Sequence, residues 1–282
     1  MKVADVMTPR DDLVTVSIPG TRDDVLEYLQ ERAFSSVPVV KETDGEERYR
    51  GLISREDLIN NPDEDQLAIL MEDVPTTSSD ADVTEVAHLI ADTGARRVPV
   101  VNGGTLQGIV TITDVIRAIA DGAVDGDTPV GDLARRDINT TYQGAPLQVV
   151  ERELAYGRVP YAVVLDDEGE MAGIITEVDI IDVAAVVEGE EGTGDSIANQ
   201  DDEWMWEGIK AVGNRYLPTR NVEIPDEPVS EYMTSDVVTV TGKRTARDAA
   251  QMMLNKDIEQ IPLVTGDELA GVVRDIDLVA GL

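Results

Sequence analysis

Four times along the chain a glycine and two apolar residues lead into a polar residue, and an Asp follows three positions later. The copies read Gly51-Leu-Ile-Ser-Arg-Glu-Asp57, Gly108-Ile-Val-Thr-Ile-Thr-Asp114, Gly173-Ile-Ile-Thr-Glu-Val-Asp179 and Gly271-Val-Val-Arg-Asp-Ile-Asp277. An Asp three residues past a hydroxyl, in the first turn of a helix, has two kinds of chemistry open to it. Its carboxylate can accept hydrogen bonds from both hydroxyls of a ribose, as acidic residues do in dinucleotide-binding folds, while the Ser or Thr contacts sugar or phosphate. The same spacing is also a helix capping box, which satisfies orphan amide groups. Ser54 with Asp57, Thr111 with Asp114 and Thr176 with Asp179 fit either chemistry. Two features favour a ligand. The acid is always Asp, where the reciprocal cap prefers Glu or Gln, and Asp277 is kept although Arg274 stands at the capping position.

The elements that must position these residues also recur. A second phrase precedes each glycine: Val37-Pro38-Val-Val, Val98-Pro99-Val-Val, Val159-Pro160-Tyr-Ala-Val-Val and Ile261-Pro262-Leu-Val. A whole unit is therefore repeated. The proline-to-glycine distance alternates, longer in the first and third copies than in the second and fourth, which points to a pair duplicated as a pair. In the first copy Leu13 to Val16 is a β-branched run, and Val25, Leu26, Leu29 and Ala33 share one helical face. Val37 to Val40 and Tyr49 to Ser54 are two more strands, and a last helix begins near Arg55. The order is β-α-β-β-α. Val83, Val86, Ala87 and Ile90 line the matching helix of the second copy, and Ala246, Ala249, Ala250 and Met253 that of the fourth. A unit of about 55 residues buries too little surface to stand alone, so the units are expected to pack in pairs, sheet against sheet, with clefts between them.

On these residues the unit resembles the CBS domain, named for cystathionine β-synthase, and two in tandem resemble a Bateman module. The resemblance covers residues 3–59, 67–120, 130–184 and 229–282, and implies an α/β (α+β) fold of four units in two Bateman modules. The layout is similar to the γ subunit of AMP-activated protein kinase and to stand-alone archaeal CBS proteins. It implies a regulatory protein, not an enzyme, that senses adenosine-containing ligands (AMP, ADP or ATP, with or without Mg²⁺) in the clefts and signals to a regulated protein. In the kinase subunit, basic residues two positions before the repeated proline, and one earlier, approach nucleotide phosphates. The copies here read Ser36, Arg97, Arg158 and Gln260. Arg96, Arg97 and Arg158 thus become phosphate candidates, with guanidinium groups suited to bidentate contacts, against the plainer reading of surface arginines paired with carboxylates. Ser35 and Ser36 can hydrogen-bond a base or sugar but cannot neutralise phosphate. Arg274 either replaces the hydroxyl as a phosphate ligand or pairs with Asp277. Other readings are a sensor of S-adenosylmethionine, a ligand-free scaffold for a partner enzyme and a Mg²⁺-sensing module. The modules are expected to form a disk within the chain or through a homodimer.

Composition restricts the setting. There are 57 acidic against 23 basic residues in 282, a net charge of −34, and the lysines are Lys2, Lys41, Lys210, Lys243 and Lys256. The acids are spread over segments that also carry apolar faces, which a disordered acidic tail would lack. Such a charge repels itself in dilute buffer and is screened in concentrated salt, as in the cytoplasm of a halophile that accumulates molar salt. It disfavours nucleic acid and anionic membrane as partners. With no cysteine, thiol catalysis, disulfides and thiolate metal sites are excluded. His88 is the one histidine, so no histidine triad or zinc site is expected. No signal-like start and no apolar run of the roughly 18 residues that a span needs is present, and a cytoplasmic protein is expected.

Residues 185–228 break the repeat. An acidic linker, Val187-Glu-Gly-Glu-Glu-Gly-Thr-Gly194, is followed by a segment holding both tryptophans, Trp204 and Trp206, with Ile209 and Val212, and by Pro225-Asp-Glu-Pro228. The segment is expected either to clasp the third and fourth units or to anchor a partner, with Arg215 and Arg220 as possible anion contacts. The charge yields the first prediction: the melting temperature should fall when KCl drops from molar to about 0.1 M, where the screening length grows to roughly 10 Å. An unchanged thermal unfolding curve across that range would rule out adaptation to salt.

Overall fold

A computed structural model describes residues 1–31, 36–43, 45–54, 57–58, 61, 64–188 and 220–282. The third and fourth repeats have the expected order in full, while most of the last helix expected from Arg55 in the first lies outside the described residues. In the third, the strand Thr140–Tyr142 runs parallel to Tyr161–Leu165, which pairs antiparallel with Met171–Thr176; the helices are Leu147–Gly157 and Glu177–Val183. The first repeat has strands Val16–Ser17, Ser36–Thr43 and Glu46–Ser54 with the helix Arg22–Glu31. The second has helices Val83–Thr93 and Ile112–Ala120 around the hairpin Arg97–Asn102 and Thr105–Thr111, its opening strand reduced to a parallel bridge between Thr77 and Val100. The fourth has strands Val240–Thr241, Gln260–Thr265 and Glu268–Arg274 with helices Ala246–Lys256 and Asp275–Val279. The helical faces named above for the second and fourth repeats are buried throughout. In the first repeat Val25 is buried, while Ala33 and the side chains of Leu26 and Leu29 lie outside the described residues.

Adjacent repeats exchange their leading segments. Thr8 and Pro9 pair with Ile109 and Gly108 of the second repeat, and Gln66 and Glu72 bridge to Thr21 and Leu52 of the first. In the second pair, Pro129 and Arg135 bridge to Thr245 and Val272 of the fourth repeat, and Pro228 and Thr234 to Pro146 and Ile174 of the third. Each exchanged segment carries an apolar anchor at 0% exposure, Val3, Leu67, Val130 or Val229. Leu67 joins the core of Val16, Val25, Val37, Val39 and Ile53, and Val229 that of Leu147, Val150, Leu154 and Ile175.

The exchange explains the recurring glycine. A Cβ added at Gly108 would lie 2.4 Å from the carbonyl oxygen of Thr8, at Gly51 2.7 Å from that of Glu72, at Gly271 2.6 Å from that of Arg135, and at Gly173 2.9 Å from that of Thr234. The glycine makes room for the neighbour's backbone, and that backbone in turn fixes the strand leading to the polar residue and the Asp.

The chain divides into two compact parts: residues 1–136, 239–265 and 270–282, and residues 137–238 and 266–269. The first part holds the first, second and fourth repeats, so its core is larger than the pair-sized core anticipated. The reason is a bundle in which the helices Val83–Thr93 and Ile112–Ala120 pack against Ala246–Lys256 and Asp275–Val279, burying Ile116, Ile119, Ala249, Ala250, Leu278 and Val279. The second part holds the third repeat and the antiparallel pair Ala185–Glu188 and Arg220–Glu223. Because a backbone carbonyl cannot yield as a flexible side chain can, Gly108→Ala should destabilise the protein by about 1–3 kcal/mol. Chemical denaturation in molar KCl measures this, and an unaltered midpoint would show that the exchanged strand is not held there.

Candidate functional site

The sheet register brings the sequence candidates together. In the first repeat Ser36 stands directly across the ladder from Ser54, and in the second Arg97 stands across from Thr111. Three residues on, at the start of the last helix, lies the Asp. The sites are thus built from the two strands of one hairpin and the helix that leaves it.

All four carboxylates make capping contacts. The Thr111 and Thr176 amides each donate to Oδ2 of Asp114 and Asp179 at 2.8 Å, their hydroxyls donate to the same oxygens at 2.8 and 2.7 Å, and the Asp amides donate back at 3.3 Å. Ser54 and Asp57 repeat the pattern at 2.7, 2.7 and 3.2 Å. Choice of Asp over Glu therefore does not discriminate between cap and ligand contact, as Thr245 with Asp248, at the start of another helix, also shows. What remains for a ligand is the other oxygen. Asp179 Oδ1 has no partner among the described residues, and Asp114 Oδ1 accepts only from Arg117, at 3.0 Å on an exposed side chain, a contact of the kind that contributes little.

The fourth site is closed. The Arg274 amide donates to Asp277 Oδ2 at 3.0 Å, its Nε to Oδ2 at 2.9 Å and its Nη2 to Oδ1 at 2.8 Å, and Arg135 Nε donates to Oδ1 at 3.1 Å. Retention of Asp277 opposite an arginine is thus explained by the arginines themselves, which corrects the argument from the missing hydroxyl. Burial raises the Asp277 pKa, but the hydrogen bonds and charge of Arg274, with the bond from Arg135, outweigh it and hold the carboxyl below its usual range.

The basic candidates separate. Arg97 is half-buried, and no hydrogen bond or ion pair to its guanidinium is present among the described residues; burial, then the charge of Arg96, lowers its pKa, while Glu259 raises it. Arg96 is held by Asp275 and Glu259, at 2.5 and 2.8 Å. Arg158 is not the counterpart of Arg97. The recurring glycine pairs with Val39, Val100 and Val164 in the first three repeats, so the residue facing Thr176 is Tyr161, 5% exposed. Pro160 precedes the third strand where Pro38 and Pro99 lie inside theirs, and Arg158 ends the helix Leu147–Gly157 in a left-handed conformation, φ 49°, on the surface. Counting back from the glycine identifies Tyr161, which counting from the proline missed. The Ser36 hydroxyl is buried without a partner among the described residues. Ser35, Trp204, Trp206, Ile209, Val212 and Arg215 lie outside the described residues, as does the side chain of Arg220, whose backbone is in register with that of Glu188.

A family model for the CBS domain matches residues 3–64, 67–121, 130–186 and 229–282. The chain belongs to the CBS-domain family. Its relatives include an uncharacterized protein of Methanocaldococcus jannaschii, 26% identical over 278 residues, or 98% of this chain and 61% of that one; the chain thus spans about three fifths of that relative's length. A crystal structure of an uncharacterized conserved protein from Pyrococcus horikoshii is similar at a TM-score of 0.69 and 25% identity, covering 99% of this chain and 98% of the other. A second M. jannaschii protein, described as a candidate archaeal homologue of the AMP-activated kinase γ subunit, matches at 0.65 and 23% identity over 99% of both chains, a likeness of fold alone.

A cavity of about 850 Å³ lies elsewhere in the third repeat, lined by Thr140, Tyr142, Glu153, Asp166, Asp167 and Glu168. It sits at the turn end of the hairpin, away from Thr176 and Asp179, and its acidic wall does not suit a phosphate. Among the described residues no helix is long and apolar enough to cross a membrane, and no group of three or more His, Asp or Glu side chains is placed to hold a metal ion.

The depressed Asp277 pKa gives a pH dependence. A carboxyl lowered in the folded state contributes stability above its unfolded pKa, about 3.9, and loses it as pH falls through the folded value. Asp277→Asn should therefore be less stable than the unmodified protein at neutral pH, and the gap should narrow on acidification. Denaturation midpoints measured across pH test this; a constant gap would mean that the arginines do not depend on the Asp277 charge.

Proposed function

We propose that this CBS protein is a regulatory sensor of adenosine-containing nucleotides, working at molar salt and passing ligand occupancy to a regulated partner. CBS-domain proteins are typically regulatory and generally not enzymes. The observation that carries the reading is Arg97: a half-buried guanidinium with no hydrogen bond or ion pair among the described residues, across the ladder from Thr111 and its Asp114 box. Arg97, a hydroxyl and a carboxylate together are the groups that a phosphorylated ribose requires. AMP, ADP and ATP are the ligands proposed for the second repeat, with Mg²⁺ neutralising further phosphates where present. Its affinity follows from charge-assisted contacts at both ends of the ligand.

The third repeat favours a second ligand of the same class. Tyr161 replaces the arginine, and Glu177 lies beside Asp179 with its pKa raised by burial and then by the charge of Glu151. Carboxylates without a facing cation suit an uncharged or cationic adenosine compound, such as S-adenosylmethionine, better than a phosphate. The first repeat, with Ser36 and Ser54 facing each other, offers hydrogen bonds without phosphate neutralisation.

Calorimetric titration in molar KCl tests the assignment. Asp114→Ala and Arg97→Gln should each weaken AMP binding by roughly 10- to 100-fold, the loss of one charge-assisted contact. Asp277→Ala, whose carboxylate is already occupied by Arg274 and Arg135, should leave AMP affinity within about twofold, a few tenths of a kcal/mol. Unchanged AMP affinity in Asp114→Ala and Arg97→Gln alike would remove the site from the second repeat.

A further inference from the structure

Arg96 and Glu259 occupy the same place in two different repeats. The Arg96 carbonyl accepts from the Ile112 amide at 2.9 Å and the Glu259 carbonyl from the Asp275 amide at 2.8 Å, in each case where the last helix of the repeat begins. The two side chains meet, Arg96 Nη2 to Glu259 Oε1 at 2.8 Å. Arg96 also forks onto Asp275, with Nη2 to Oδ2 at 2.5 Å and Nη1 to Oδ1 at 3.3 Å. Asp275 is 7% exposed, and its Oδ1 also accepts from the Ile276 amide at 2.7 Å. Two residues on, Asp277 holds Arg274 and Arg135. Around one short helix, therefore, Arg96, Arg97, Arg135 and Arg274 face Glu259, Asp275 and Asp277. Four arginines are thus gathered within reach of a few carboxylates in a chain of net charge −34.

Arg96 is next to Arg97 in the chain and near enough for its charge to act on it. Both residues stand where the second repeat's hairpin begins, but among the described residues only Arg96 of the two has a hydrogen-bond or ion-pair partner. We propose that Asp275 and Glu259, from the fourth repeat, determine the specificity of the second-repeat site by holding Arg96 back from the phosphates of a bound nucleotide. The inference rests on the nucleotide reading above. A monophosphate is met by Arg97 without disturbing this clamp. A longer phosphate chain gains a second guanidinium only by taking Arg96 from two carboxylates, since a fork-shaped donor cannot serve both sets of oxygens fully at once. The clamp disfavours triphosphate relative to monophosphate, and its displacement frees a carboxylate at the start of the fourth repeat's last helix. Ligand length in one repeat is thereby linked to the packing of another.

The test titrates adenosine, AMP, ATP and inorganic tripolyphosphate into the full chain in molar KCl, with Glu259→Gln, Asp275→Asn and both together. In the double variant ATP and tripolyphosphate should bind about tenfold more tightly, adenosine should stay within about twofold, and Arg96→Gln added to it should cancel the gain. Unchanged ATP and tripolyphosphate affinities would overturn the proposal, as would an equal gain for adenosine or a gain that survives Arg96→Gln. Should Asp275→Asn fail to fold, Glu259→Gln, at a side chain 62% exposed, must still give a smaller gain of the same selectivity, and none would overturn it. If the unmodified protein binds no adenosine compound, the nucleotide reading fails, while tripolyphosphate alone still reports whether the two carboxylates withhold Arg96.

Discussion

At each recurring glycine the backbone of another repeat lies against the strand, at a distance no side chain would allow. Most of the remaining structure depends on this contact. It fixes the exchange of leading segments and seats Leu67 and Val229 in neighbouring cores, so that small units which could not bury enough surface alone share their interiors. It also lies just ahead of the polar residue and the Asp. Each candidate site is therefore held by two repeats even where only one supplies its side chains.

On this common frame, single substitutions make the four sites different. The capping box is present at Asp57, Asp114 and Asp179, and it orients one oxygen of the carboxylate while leaving the other to the surroundings. The residue across the ladder then differs: Ser36, Arg97 or Tyr161. At Asp277 two arginines occupy both oxygens. Cap and ligand contact are consequently not rivals, because the cap is the means by which the carboxylate is positioned.

Much of this was legible in the sequence. The repeat and its β-α-β-β-α order show in two short phrases, since a buried strand, a tight backbone approach and a helix start each leave a residue-type signature. The exchange was less legible, because each leading segment is short and has few anchors, though the glycine recorded its presence. Alignment failed at the third repeat because Pro160 marks the entry to its strand and not the strand interior, so Arg158 took the place that belongs to Tyr161. The Arg274–Asp277 pair was foreseen as one of two outcomes. The Arg96 clamp was not, since it joins positions 179 residues apart that only the helix bundle brings together.

Electrostatics connects the fold to the proposed role. Several exposed arginines have no hydrogen bond or ion pair among the described residues, but Arg97 is half-buried and faces a hydroxyl with its carboxylate, and that is the departure for which a ligand is proposed. A crystal structure of the protein grown with AMP in molar KCl tests this most directly. The account predicts nucleotide density in the second repeat, with ribose hydroxyls on Asp114 and phosphate on Arg97. Nucleotide density only in the acidic cavity of the third repeat, or an occupied site in which Arg97 and Asp114 touch nothing, would contradict it.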